Sequence, residues 1–202
     1  MKKLLTLLLL WASTGMIAQQ QKDSVKTFLP REYFKIYAGV PTGLGDNALA
    51  KSHHGQFSIG LAATALQYHN FQLNAGLRYT QYKVEDHAFG TTASNLTLTD
   101  IYGEVVYKQP INNNFIINPQ FFVSSLQLNT GGAPFEFEAS KGKQYGCTVG
   151  GGFDVDFVIE KHAKIFIGAI YSMSYLNTNT APELEKFYNR LGQLNIIAGY
   201  KF

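Results

Sequence analysis

From residue 33 to the last residue, apolar and polar positions alternate with period two in eight separate runs. That is the pattern of strands with one apolar face. The cleanest run, 71–82, sets Phe71, Leu73, Ala75, Leu77 and Tyr79 against Gln72, Asn74, Gly76, Arg78 and Thr80. The last, 194–202, sets Leu194, Ile196, Ala198, Tyr200 and Phe202 against Asn195, Ile197, Gly199 and Lys201. The first, 33–44, sets Phe34, Ile36, Ala38 and Val40 against Lys35, Tyr37 and Gly39. The second, 56–67, sets Phe57, Ile59, Leu61, Ala63 and Ala65 against Gln56, Ser58, Gly60, Ala62 and Thr64. The remaining runs are 98–108, 115–128, 144–159 and 164–175. Residues 115–128 are less regular, because Ile116, Phe122 and Leu126 are apolar on the polar side.

The connections alternate in length. Long ones cover 45–54, 83–97, 129–143 and 176–190, and short ones cover 68–70, 110–114 and 160–163. In the last long connection, Thr180-Ala181-Pro182-Glu183 reads as a capping box with proline in the first turn and predicts a short helix over 181–189. No long apolar run that could be a transmembrane helix follows residue 18. Strands of about eleven residues, even in number, with short turns at one end and long loops at the other, describe a membrane barrel. The expected fold is therefore all-β: an eight-stranded antiparallel transmembrane up-and-down β-barrel over 33–202. Its apolar faces would meet lipid, with Tyr and Phe near the two interfaces. A soluble lipocalin-like barrel has eight strands too, but would put the apolar side chains inside and the charges outside.

The chain opens with Met1-Lys2-Lys3, a short apolar stretch Leu4–Ala12, then small and polar residues to Ala18-Gln19. This reads as a secretory signal peptide, 1–18, cleaved after Ala18, followed by a polar periplasmic lead-in, 19–32. Loss of Lys2 and Lys3 lowers the formal charge from +3 to +1, which argues for no nucleic-acid partner. The single cysteine, Cys147, forbids an internal disulfide and leaves no cysteine-based metal site.

With the polar faces turned inward, the lumen would hold Lys35, Arg78, Lys108 and Lys201 against Asp100, Glu104, Asp154 and Asp156. Buried charges are costly unless paired, and eight strands leave an interior only wide enough for side chains. The expectation is a plugged lumen in which Arg78 faces Glu104, and Asp154 and Asp156 meet lysines near the periplasmic end. The alternative is that the Arg78–Glu104 pair gates a narrow channel for ions or small solutes. Asp154 and Asp156 could also serve acid–base chemistry, but opposing lysines and the lack of a cleft argue against it. His53-His54 lacks a third ligand, so neither a metal nor a cofactor is expected. Gly146, Gly150, Gly151 and Gly152 in the sixth run read as room for bulky lumen side chains, or else as a groove for a partner on the wall.

The ending, with aromatic Phe202 last, Tyr200 two before it and apolar residues at alternate positions upstream, resembles the C-terminal signal of bacterial outer-membrane barrels. Across the whole mature chain, 19–202, the sequence resembles the small eight-stranded barrels of that membrane, the OmpA-like transmembrane domains and OmpX-type proteins. The resemblance implies that the barrel-assembly machinery reads Tyr200 and Phe202, that both termini are periplasmic, and that the long loops are extracellular. Some barrels of this kind are lipid A-modifying enzymes with a His/Ser or His/Asp site. Here the histidines fall in loops and turns, with none followed closely by Ser on a strand face. The expected function is thus non-enzymatic: a barrel acting through its loops or outer wall, among outer-membrane lipid, alone or as an accessory subunit of a larger outer-membrane complex.

Overall fold

The computed structural model describes residues 32–85, 95–131, 143–160, 163–177, 183 and 185–202. The expected signal peptide, the lead-in up to residue 31 and the Thr180–Pro182 half of the capping box lie outside those residues. Eight long strands follow in order: β1 (Phe34–Leu44), β2 (His53–Tyr68), β3 (Phe71–Val84), β4 (Asn95–Tyr107), β5 (Phe115–Gly131), β6 (Lys143–Glu160), β7 (Ala163–Leu176) and β8 (Arg190–Lys201). Each pairs antiparallel with its sequence neighbour, and a two-residue bridge, Gln109–Pro110, adds to β5. The first strand pairs with the last, from Lys35↔Lys201 to Leu44↔Gly192, so the sheet is a closed barrel. Closure leaves no strand edge with unpaired backbone groups, the condition for a sheet to stand in lipid.

Period-two patterning becomes an inside and an outside. Ile36, Ile101 and Ile167 are 53%, 64% and 51% exposed on the outer face. Lys35, Arg78 and Asp154 are buried at 5%, 2% and 0%. The soluble, lipocalin-like alternative requires the reverse. The outward apolar residues clothe every strand, and aromatic pairs gather toward the short-turn end: Phe34–Phe202, Phe71–Tyr107 and Phe115–Phe157, with ring centroids 5.7, 5.1 and 5.3 Å apart.

The structure corrects the expected pattern in two places. Gln56 is exposed rather than inside, because a bulge between Gly55 and Phe57 turns two successive residues outward. The connection 45–54 is not a plain polar loop. It holds a short helix, α1 (Ala48–Ser52), and β2 already begins at His53. Asn47 caps α1, its Oδ1 accepting from the Ala50 N–H at 3.0 Å. The helix forms because it delivers Leu49, 1% exposed, into the barrel mouth. A second helix, α2 (Glu185–Asn189), falls within the segment expected to be helical.

Two apolar layers fill the lumen. Leu49, Tyr82, Leu96, Leu98, Leu126, Leu128, Leu176 and Leu191 close the end that carries α1. Deeper in, Tyr37, Ala62, Tyr102, Phe122, Phe166, Ile170 and Ile197 form the second layer. Its four aromatics share one device: each stands directly across from a glycine on the neighbouring strand, as Tyr37↔Gly60, Tyr102↔Gly76, Phe122↔Gly150 and Phe166↔Gly199. A Cβ on Gly60 would lie 2.2 Å from Tyr37 Cζ, so the ring occupies the space the glycine leaves. Gly150 likewise makes room for Phe122, the first of the two roles expected for the glycines of that run.

Candidate functional site

Ten charged side chains lie buried inside the barrel among the described residues. The cations are Lys35, Arg78, Lys108, Lys164 and Lys201, and the carboxylates are Glu32, Asp100, Glu104, Asp154 and Asp156. All eight charges expected there are inside. Glu32 and Lys164 join them, one of each sign, so the balance holds at five against five.

Register dictates the pairing. β3 lies against β4 so that Arg78 stands opposite Asp100 and Asn74 opposite Glu104. Arg78 therefore does not face Glu104. Its Nε and Nη2 both reach Asp100 Oδ2 at 3.0 Å, while Ser124 donates to Asp100 Oδ1 at 2.7 Å. The guanidinium also stacks over Phe122, 4.8 Å from the ring centroid. Glu104 instead accepts from Asn74 at 2.8 Å and lies 3.5 Å from Lys35 Nζ. The gate imagined for an Arg78–Glu104 pair has no such pair to open.

Nearer the short-turn end, β1, β8 and β7 bring Lys35, Lys201 and Lys164 side by side. Like charges on neighbouring strands repel unless opposed. Here β6 supplies the opposition: Lys201 Nζ is 2.7 Å from Asp154 Oδ1 and 2.6 Å from Asp156 Oδ1. Lys35 reaches Asp154 Oδ2 at 3.3 Å, and Lys164 reaches Asp156 Oδ2 at 3.8 Å. Asn118 donates to Asp154 at 2.6 Å, and Lys35 donates to Gln120 at 3.1 Å. Glu32, ahead of β1, pairs with Lys164 as well, and with Lys108 at 3.2 Å. A cavity of about 10 Å³ beside Glu32, Lys35, Gln72 and Asn74 has room for at most one water.

The histidines do other work. Ser52 Oγ lies 2.6 Å from His53 Nδ1, a pairing that sequence spacing did not suggest. The Ser52 hydroxyl, fully buried, donates its proton to the Ala48 carbonyl. With that proton committed, the His53 Nδ1–H donates to Ser52 Oγ and Nε2 keeps its lone pair, while the His53 backbone N–H closes α1 by donating to the Leu49 carbonyl. His54 is exposed and lies 3.8 Å from Glu85. Among the described residues no group of three His, Cys, Asp or Glu side chains is placed to hold a metal ion. His87 and His162 lie outside those residues.

No protein-family model and no curated protein sequence matches the chain. Solved structures do. The crystal structure of Neisserial surface protein A superposes with a TM-score of 0.62 at 14% identity, covering 84% of this chain and 94% of that one. Outer membrane protein OprG from Pseudomonas aeruginosa superposes with a TM-score of 0.52 at 13% identity, covering 87% of this chain and 98% of that one. The fold is that of the small outer-membrane β-barrels. At such low identity the likeness speaks for the backbone alone, and the side chains say the rest. A closed eight-stranded barrel with an apolar outer face and charges inside is built to stand in a membrane with its outer wall against lipid.

In this barrel Tyr200 and Phe202 are both outward, 40% and 41% exposed, their rings 5.8 Å apart. They continue the lipid-facing row of β8 to the chain's end. The Phe202 N–H donates to the Phe34 carbonyl at 3.0 Å, so the last residue is held in the closing pair rather than frayed.

Proposed function

We propose that this protein is a non-conducting, non-enzymatic outer-membrane barrel that acts through its surface, either its long connections or its outer wall, alone or as an accessory subunit of a larger outer-membrane complex. One observation carries the reading: the lumen is filled along its length. Leucines close the end that carries α1, four aromatics and the Arg78–Asp100 pair occupy the middle, and eight further charges interlock toward the short-turn end. Ions crossing a pore need water or mobile polar groups in line. Here a buried apolar layer lies across the path at two levels, and each charge has an opposite within reach. Tyr200 and Phe202 serve as the signal that the barrel-assembly machinery reads, after a signal peptide ending at Ala18 has taken the chain across the inner membrane. The long connections then face outward and the termini face the periplasm.

The test has three arms. Purified protein in planar bilayers is expected to pass no current above the lipid baseline. Stable unitary conductance would overturn the plugged-lumen reading in favour of a narrow channel. Mild-detergent extraction of the tagged protein from its native membrane, followed by native mass, separates a subunit of a stoichiometric assembly from a free-standing barrel. Release of fatty acid or phosphate from lipid A by the purified protein would overturn the non-enzymatic reading.

A further inference from the structure

Glu32 lies two residues ahead of β1, yet its side chain is 5% exposed and points into the barrel. It binds Lys164 at the start of β7 and, at 3.2 Å, Lys108 just after β4. Lys108 is fully buried, and among the described residues Glu32 is the carboxylate it pairs with. One carboxylate thus reaches from the first strand across the lumen to two other parts of the wall. The backbone beside it is tied into the closing pair. The Tyr33 and Phe34 N–H groups both donate to the Phe202 carbonyl, at 2.8 and 2.9 Å, and the Thr64 N–H donates to the Tyr33 carbonyl at 2.9 Å. Without Glu32, five buried cations would face four buried carboxylates.

We propose that Glu32 is a latch, locking the β1–β8 closure to the β4 and β7 side of the barrel and sealing the lumen at the short-turn end. The geometry supports an order of events. Glu32 can reach Lys108 and Lys164 together only when β1 has met β8, because those lysines belong to strands that β1 otherwise approaches only by closing the cylinder. Charge pairing within the lumen therefore favours the closed barrel specifically, over and above the backbone bonds of the β1–β8 ladder. Withdrawal of Glu32 would leave Lys108 without a counter-charge among the described residues, and the ladder without its brace.

The experiment is hydrogen exchange read by mass spectrometry on the full chain folded in phosphatidylcholine vesicles, comparing wild type, E32Q, K108M and the double variant. Residues 34–38 and 197–202 report the closing pair, and β4–β5 serves as the internal reference. E32Q is expected to speed exchange in the closing pair by about tenfold or more while leaving the reference unchanged, since an unpaired buried lysine is strongly unfavourable. K108M is expected to act on the same residues, and the double variant to add little to the larger single effect. Exchange in the closing pair within about twofold of wild type would overturn the latch, as would additive effects or an equal rise around the whole barrel. Should E32Q fail to fold, K108M carries the same readout with the same two outcomes.

Discussion

Replacing Arg78 by methionine removes the cation from a carboxylate that has no water to turn to. Asp100 is 1% exposed, accepts from Nε of Arg78 at 3.0 Å with Nη2 the same distance away, and accepts from the Ser124 hydroxyl at 2.7 Å. In Arg78→Met only the serine contact remains, and breaking a buried pair from one side costs about 3–5 kcal/mol. Asp100→Leu strands the guanidinium instead, over Phe122 and near Tyr102, for a loss of similar size. The double variant leaves no charge behind. Its neighbours on the two sides are the apolar layers of Leu98 and Leu126 and of Tyr102 and Phe122. It is therefore expected to lie within about 1 kcal/mol of wild type, because apolar replacement of a buried ion pair is often neutral. The coupling energy should then be about 5 kcal/mol or more. Urea unfolding in vesicles, followed by far-ultraviolet circular dichroism and by the gel-mobility difference between folded and unfolded barrel, measures all four forms. Additive single effects, or an Arg78→Met cost below about 1 kcal/mol, would mean that this pair is solvated or dispensable.

Three further predictions test other parts of the argument. Glu104→Ala removes the acceptor of Asn74 and a counter-charge of Lys35, so it is expected to destabilise the barrel by about 2–3 kcal/mol with no gain in conductance; a folded variant that conducts would overturn the plugged-lumen reading. Gly60→Ala places a methyl group 2.2 Å from Tyr37 Cζ and is expected to cost about 1–3 kcal/mol. The three nearest atoms it meets belong to the Tyr37 side chain, so Tyr37→Leu should recover part of that loss in the same unfolding assay, and a double variant no better than Gly60→Ala would count against the ring-over-glycine packing. Ile101→Lys, at the middle of β4 on the outer face, is expected to cost about 2–4 kcal/mol in vesicles. A neutral outcome there would mean that this face meets water.

The alternation along each run settled which side chains face lipid and which face the lumen, because period two leaves a strand residue only two choices. The count of eight runs and the alternating connection lengths then implied the antiparallel closure, and the eight charges on the polar faces were legible as lumen charges. Lys164 was within reach of the same reasoning, since it shares the phase of Phe166 and stands one step beyond it on β7. Glu32 was not, because it precedes the first alternating run and so has no face until the chain around it is placed. Helix α1 was hidden as well: its short segment, Ala48–Ser52, looks like part of a polar loop until Leu49 is seen filling the barrel mouth. Tertiary structure alone decided the partners. Arg78 meets Asp100 rather than Glu104 because register is set by the connections and bulges, and a slip of four residues along β4 keeps every face correct while exchanging every neighbour. The same holds for the aromatics and their glycines: composition shows that both are present, and only the strand register lays each ring across the residue that has room for it.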